Sequence, residues 1–316
     1  MLILDLELGI IGLGKMGGNL SLQCIDKGIR VIGKDIKERP DLADKGVIIT
    51  MDYERFIKKL ETPRVIFLSL PAGPTIDNVI KDLVPYLDKG DILMDGGNSY
   101  YKDSQRRAKE LMDAGIYFVD CGTSGGWEGA RYGACFMIGG EDEAIEICKP
   151  ILKKLAVEDA YLHCGPSGSG HFVKLVHNGI EFGMLQAIGE GVELLNNSEF
   201  NLDLPDIFKM YSNGSVIRSW LVELMEKGLR EQEKLENVPA YIEDTGEVNW
   251  LVQEAINKEI PIPIITQSII ELFKSREEPK DSYRAIAIMR HGFGGHPYGE
   301  DDYIANERKT SRIHKF

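Results

Sequence analysis

The 316-residue sequence is 43% hydrophobic and 28% charged, enough to bury a sizeable core and to form two domains. Its formal net charge of −13 argues against a nucleic-acid partner, because a mostly acidic surface repels phosphate. A small anionic substrate stays possible in a locally basic pocket. The start, MLILDLELGIIGLG, lacks a basic leader and runs straight into an apolar strand, so no signal peptide is read there. Its first six residues read equally as an apolar lead-in or a misassigned start.

Residues 8–34 give a strand, a glycine-rich turn, a helix closed by Gly28 and a second strand. Gly12-x-Gly14-x-x-Gly17 falls at the strand-to-helix junction, where a dinucleotide site needs a tight turn, a bare backbone for the pyrophosphate and close helix packing. Gly12, Leu13, Gly14, Lys15, Met16 and Gly17 are therefore the candidate cofactor loop. Asp35, ending the second strand, suits the adenosine ribose hydroxyls of NAD and would repel the extra phosphate of NADP. Lys34, Lys37 and Arg39 blunt that argument, so the reading favours NAD without closing the alternative.

The alternation then continues. Strands are expected at 64–73, 91–99, 116–126 and 134–140, and helices at 75–87, 103–115 and 141–155. This order predicts right-handed βα units and a mostly parallel sheet of Rossmann type, with ligands gathered at the carboxyl ends of the strands. Leu70, Pro71 and Ala72, the turn at 96–99 with Asn98, and the turn at 122–126 then line one cleft with the glycine loop. From about residue 165 the pattern is helical throughout. The chain thus divides into a dinucleotide-binding domain, 1–168, and an all-α domain, 169–316, with helices at 171–197, 204–212, 215–235, 247–258 and 262–276. The glycine-rich stretch MRHGFGGHPYGEDD reads as irregular.

One stretch of the first long helix, GHFVKLVHNGIEFG, mixes Lys174, His177, Asn178 and Glu181 into apolar sequence. At about 100 degrees per residue, His177 and Asn178 flank Lys174, and Glu181 returns to within about 20 degrees of it, roughly 10 Å along the axis. These four share a face, leaving Val173, Val176, Ile180 and Met184 to pack elsewhere. Gly179 and Gly183 suggest close approach by another segment. The pair reads either as a desolvated lysine base with a glutamate acid or as a solvated charge pair.

GLGKMGGN (12–19), DGGNS (95–99), TSGGWEGARYG (123–133) and GSGHFVKLVHNGIE (168–181) together resemble the signatures of the decarboxylating 6-phosphogluconate dehydrogenases, in their short form. The resemblance implies that Lys174 takes the C3 hydroxyl proton as hydride leaves for the nicotinamide, and that Glu181 protonates the enediol left by loss of CO2. It also implies that Asn98 touches cofactor and substrate, that Ser124, Gly125 and Gly126 hold the carboxylate, and that His177 and Asn178 bind hydroxyls. Arg290 and His296 resemble tail residues that reach the sugar phosphate from a neighbouring subunit, which implies at least a homodimer. Arg218 is a further cation by position alone.

The phosphate end departs from the long form. Phe182 stands where a tyrosine is usual, and Thr245-Gly246-Glu247 where a lysine-containing loop is found. Those departures keep two alternatives open: a related 3-hydroxy acid dehydrogenase such as one acting on 3-hydroxyisobutyrate, and an enzyme for a non-phosphorylated sugar acid. A cofactor-sensing protein without catalysis fits less well with Lys174, Asn178 and Glu181 all in place. No metal is implied. The five cysteines form no CxxC pair, as expected of free thiols in a reducing cytoplasm, and no apolar run reaches membrane-spanning length.

Overall fold

Short apolar strands bounded by glycine turns set the first half of the architecture. The computed structural model describes residues 6–232 and 234–308. The chain-start lead-in, apart from Leu6, and residue 233 of the helix expected at 215–235 lie outside them. Within the described residues the chain forms two compact units, one up to Lys174 and one from Leu175 on.

The first unit runs β1 (Glu7–Ile11), α1 (Lys15–Asp26), β2 (Arg30–Lys34), α2 (Pro40–Ala43), β3 (Ile48–Thr50), α3 (Tyr53–Lys58), β4 (Val65–Leu68) and α4 (Pro74–Leu83). It continues through β5 (Ile92–Asp95), α5 (Tyr101–Met112), β6 (Tyr117–Ser124), α6 (Gly126–Tyr132), β7 (Ala134–Gly139), α7 (Asp142–Leu155) and β8 (Ala156–Gly165). The eight strands form one sheet in the order β3-β2-β1-β4-β5-β6-β7-β8, parallel except for the β6–β7 pair. The expected mostly parallel α/β sheet is therefore present.

Every residue of β4 and β5 is buried, as a parallel sheet covered on both faces requires. Alternate residues feed opposite layers. Leu8, Ile10, Val65, Phe67, Ile92 and Met94 pack with Leu20 and Cys24 of α1 and with Cys148 and Leu152 of α7. Ile11, Ile66, Leu68 and Leu93 pack with Phe56 of α3, Ile76 of α4 and Leu111 of α5. Because the chain winds outward from β1 to β3 and then crosses to β4, the β1–β4 boundary is the topological switch point where such sheets bind ligands.

The helix α8 (Ser169–Asn196) carries the chain out of this unit. Thereafter come α9 (Leu204–Ser212), α10 (Trp220–Glu231), α11 (Val248–Asn257), α12 (Pro263–Lys274), α13 (Asp281–Gly294) and α14 (Asp302–Glu307), with no strand among the described residues. The expected helix at 215–235 is shortened to α10, whose cap Ser219 accepts from the Val222 N–H at 3.3 Å.

Two expectations need correction. MRHGFG is not irregular but ends α13, a core helix that buries Tyr283, Ile286, Ile288, Met289 and Arg290 and stops at Gly295 in the left-handed region, φ 59°. Val173, Ile180 and Met184 are not covered by a core among the described residues but stay exposed along α8.

Candidate active site

The glycine loop can be read position by position. Gly12 has φ +91°, and a side chain there would run into the Ser69 carbonyl. A Cβ on Gly17 would overlap the Gly12 carbonyl and lie 3.0 Å from the Ser69 side chain. Both glycines are thus demanded by the close approach of β1, α1 and the end of β4. Gly14 differs: a Cβ there would meet nothing within 4 Å, so internal packing does not call for a glycine. A bare backbone at the head of α1, beside N–H groups of its first turn, fits a pyrophosphate. Gly14→Ala is accordingly expected to leave the unfolding temperature unchanged while weakening NADH binding on the order of tenfold, checked by fluorescence titration.

Asp35 follows β2 and faces this loop. Its carboxylate accepts from the Leu13 N–H at 2.6 Å and the Lys37 N–H at 3.0 Å. The neighbouring cations that complicated the sequence reading have their own engagements. Lys34 is buried with its Nζ 4.3 Å from the Tyr53 ring centre, and Arg39 is paired with Asp41.

Leu70, Pro71 and Ala72 follow β4, and Asn98 follows β5, so both groups sit at the same carboxyl edge as Gly12–Gly17. Beneath them lies a buried ion network that the sequence reading missed. Arg107 of α5, 1% exposed, donates to Asp77 at 2.8 Å, to the Gly73 carbonyl at 3.1 Å and to Asp95 at 3.2 Å. Asp95 in turn accepts from the Gly97 N–H at 2.9 Å and the Ser99 hydroxyl at 2.8 Å, holding the turn that carries Asn98. Arg107→Leu would strand Asp95 as an uncompensated buried charge. It is expected to lower the unfolding free energy by about 3–5 kcal/mol, measurable by urea denaturation.

Ser124 ends β6, and the next two residues, Gly125 (φ 115°) and Gly126 (φ 60°), turn the backbone through conformations that favour glycine. Successive N–H groups in such a turn form a concavity suited to a carboxylate. The start of α8 packs onto the same strand. Asp120 of β6 accepts from the Gly168 N–H at 2.6 Å and the His171 N–H at 2.8 Å, capping the helix. Ser104 and His171 Nδ1 share a buried hydrogen bond of 2.7 Å, and the Tyr101 and Phe172 rings meet edge to face at 5.2 Å.

A Cβ on Gly122 would lie 2.6 Å from the Lys174 Cβ and 3.0 Å from the Gly170 carbonyl. Lys174 is therefore laid flat against β6, two residues before Ser124. Asp120, Ser104 and His171 escaped the sequence reading, whereas Gly122 lies in the expected turn at 122–126. One signal was available: YFVD and ILMD both place an aspartate directly after three residues of a buried strand.

Further along α8, Asn178 is buried, and its Oδ1 accepts at 3.2 Å from His177 Nδ1. That same nitrogen is 3.9 Å from a Glu181 carboxylate oxygen. His177 thus lies between Asn178 and Glu181, half-exposed rather than a core histidine. Gly179 backs onto α11 and α12, where a Cβ would overlap Leu251 and come within 3.2 Å of Ile265. Gly183 has only an ordinary contact, Ile264 at 3.6 Å.

The cations named for the phosphate scatter more widely. Arg290 is buried, donates to the Glu243 carbonyl at 2.9 Å and stacks 5.4 Å from the ring centre of Phe182, the residue after Glu181. His296 follows α13, its carbonyl 2.8 Å from His291 Nδ1 and its ring 5.7 Å from that of Phe293. Arg218 precedes α10 and donates to the Ser215 carbonyl at 3.1 Å.

The loop bearing Glu247 is acidic but not isolated. Arg276 pairs with Asp244 at 2.8 Å, and Arg308 pairs with Glu243. Burial first, and the Glu247 charge second, raise the Asp244 carboxyl above its ordinary value against the pull of the surrounding arginines.

Among the described residues no cluster of three or more His, Cys, Asp or Glu is arranged to hold a metal ion, and no helix is long and apolar enough to cross a membrane.

Comparison with known proteins adds the following. The family model for the NAD binding domain of 6-phosphogluconate dehydrogenase matches residues 7–165, and that for the 6-phosphogluconate dehydrogenase C-terminal domain matches 170–280 and 196–311. An NAD(+)-dependent, decarboxylating 6-phosphogluconate dehydrogenase of Haloferax volcanii is 40% identical over 94% of this chain and 100% of its own length. A Plasmodium falciparum 6-phosphogluconate dehydrogenase, studied with its cofactor NADP+ and with 6-phosphogluconate, superposes with a TM-score of 0.76 at 30% identity. That match covers 85% of this chain and 62% of the other. A Mycobacterium tuberculosis 3-hydroxyisobutyrate dehydrogenase shares the fold at a TM-score of 0.69 and 20% identity, over 91% and 100% of the two chains.

Proposed function

We propose, from the premise that this chain belongs to the 6-phosphogluconate dehydrogenase family, that it oxidises and decarboxylates 6-phosphogluconate to ribulose 5-phosphate and CO2. It is an NAD(P)-dependent oxidoreductase, and we propose NAD as the preferred cofactor. The observation that carries the catalytic reading is the seating of Lys174 against Gly122, beside the Ser124–Gly126 turn.

When bound, the nicotinamide supplies a hydride acceptor. Lys174 takes the proton of the C3 hydroxyl and, now charged, donates a hydrogen bond to the new C3 carbonyl oxygen. That charge makes the carbonyl an electron sink. The C1–C2 bond can then break, releasing C1 as CO2 and leaving the electron pair in a C2–C3 enediol. Glu181 delivers a proton to the former C2, which becomes C1 of ribulose 5-phosphate, while the C3 oxygen returns as a ketone. His177 and Asn178 hold sugar hydroxyls, Asn98 orients cofactor and substrate together, and Ser124, Gly125 and Gly126 bind the carboxylate until it leaves.

Asp35, fixed by two backbone N–H groups, supports the preference for NAD. Arg290 and His296 serve the substrate phosphate, with Arg290 seated over Phe182 in place of the hydroxyl that a tyrosine would offer. A second reading has one observation in its favour: the acidic loop Glu243–Glu247 is poorly suited to a phosphate. Values of kcat/KM for 6-phosphogluconate, gluconate and 3-hydroxyisobutyrate separate the readings. The phosphorylated acid should exceed the others by about a hundredfold or more, as loss of a charged group that the site is built to bind would dictate. Equal turnover of gluconate would favour the non-phosphorylated reading.

A homodimer or larger homo-oligomer is also proposed, in the cytoplasm. Val173, Ile180, Met184 and Leu194 are exposed on α8 and fall within a stripe of about 80 degrees adjoining the polar face. An apolar stripe of this kind normally finds cover, and a second copy is the simplest one. Mass photometry at nanomolar concentration should return twice the chain mass or more; a stable, fully active monomer would contradict it.

A further inference from the structure

The preference for NAD read from Asp35 has to hold against three basic residues that follow or precede it within four positions. Their side chains are placed differently. Lys34 is buried against Tyr53, with its ammonium over the ring. Lys37 gives Asp35 its backbone N–H at 3.0 Å. Its side chain is an exposed, flexible point charge, which salt screens.

Arg39 is the cation with structure around it. Its Nη2 lies 3.5 Å from where a Cβ on Gly18 would be, so the guanidinium rests on the first turn of α1, one residue past the Gly12–Gly17 loop. An arginine there is well placed for a ribose 2′-phosphate, the group such residues accommodate in NADP enzymes. In this chain the Nε–Nη2 edge of its fork is taken: Arg39 Nε donates to Asp41 Oδ1 at 2.9 Å and Nη2 to Asp41 Oδ2 at 2.7 Å. The hydrogen bond that Arg39 donates to Asp41 leads the influences that hold its guanidinium firmly charged, and the Asp35 carboxylate adds to them.

We propose that Asp41 is a positioning residue for cofactor choice: by holding the Nε–Nη2 edge of Arg39 it competes with a ribose 2′-phosphate for that guanidinium. Asp35 rejects the phosphate directly, and Asp41 competes for the cation that would have compensated. This inference rests on the reading of the chain as NAD-preferring. The pair is partly exposed, with side-chain exposures of 26% for Arg39 and 57% for Asp41, so its hold is modest. The expected effect is correspondingly about three- to tenfold, the range of a well-formed surface pair competing with a ligand.

The test uses dissociation constants for NADH and NADPH, read by nicotinamide fluorescence, alongside kcat/KM with each oxidised cofactor. Asp35→Ser should raise the NADPH-to-NADH affinity ratio. Asp35→Ser/Asp41→Asn should raise that ratio a further three- to tenfold with NADH binding held, which also shows that the variant is folded. Adding Arg39→Met should cancel the further gain, and Asp35→Ser/Asp41→Glu, which restores a carboxylate partner, should fall back toward Asp35→Ser. The proposal is overturned if Asp41→Asn leaves the ratio of Asp35→Ser unchanged. It is equally overturned if the gain survives Arg39→Met, because Asp41 would then repel the phosphate on its own account. A wild type that binds NADPH more tightly than NADH would sink the NAD reading itself, whatever the variants do.

Discussion

Lys174→Met is expected to lower kcat with 6-phosphogluconate about ten-thousand-fold, at the upper end of what a positioned acid–base group contributes. The expectation is large because the lysine is asked to act twice, first as the base for the hydroxyl proton and then as the cation on the nascent carbonyl. Methionine keeps the length and the apolar stem, so the packing of the side chain on Gly122 and the Asp120 cap of α8 should survive. NADH binding, which belongs to the Gly12–Gly17 loop and Asp35, should stay within about twofold of the wild type. Single-turnover absorbance at the reduced-nicotinamide band checks the prediction. A variant that still transfers hydride at a tenth of the wild-type rate would remove Lys174 from the chemistry.

The second large effect belongs to Glu181. Glu181→Gln keeps the shape and the hydrogen-bonding capacity toward His177, whose Nδ1 lies 3.9 Å from the carboxylate, but cannot deliver a proton. Turnover should fall about a thousandfold, with the loss after hydride transfer and not before it. The first turnover should therefore still yield reduced cofactor and CO2. In D2O the wild type should place a single deuterium stereospecifically at C1 of ribulose 5-phosphate, and the variant should lose that stereospecificity as solvent protonates the released enediol. Proton NMR of the product reads this. Stereospecific labelling by the variant would assign the proton to another group.

Sequence and structure diverge where partners are remote. The glycine loop, Asp35 and the polar face of α8 were legible because each is a local pattern: a turn, a strand end, a 100-degree spacing. Asp120 lies 48 residues before the Gly168 N–H that it accepts from, and Arg107 ties together loops about residues 73 and 95; no local periodicity announces either. Helix α13 was missed because it is buried on nearly every side, so it carries no amphipathic stripe, and its HGFGG end imitates a turn. Strand β8 was missed for the opposite reason. It is an edge strand with Glu158, Asp159 and Leu162 on its exposed positions, so its alternation is broken. Val173, Ile180 and Met184 are apolar yet exposed, and an exposed apolar stripe has the same sequence pattern as a core face.

The glycines make the same point from inside the site. Gly12, Gly17 and Gly122 are explained by atoms of this chain, whereas a Cβ on Gly14 would meet nothing within 4 Å. A dinucleotide loop would call for a bare backbone at such a position, and a tight turn that serves packing alone would not.

The measurement that bears most directly on the whole account follows reduced cofactor and released CO2 together as the protein turns over 6-phosphogluconate with NAD. One CO2 for each NADH, from the first turnovers on, is the predicted result. NADH formed without CO2 would contradict it, leaving a dehydrogenase in which Lys174 works and Glu181 has no proton to give.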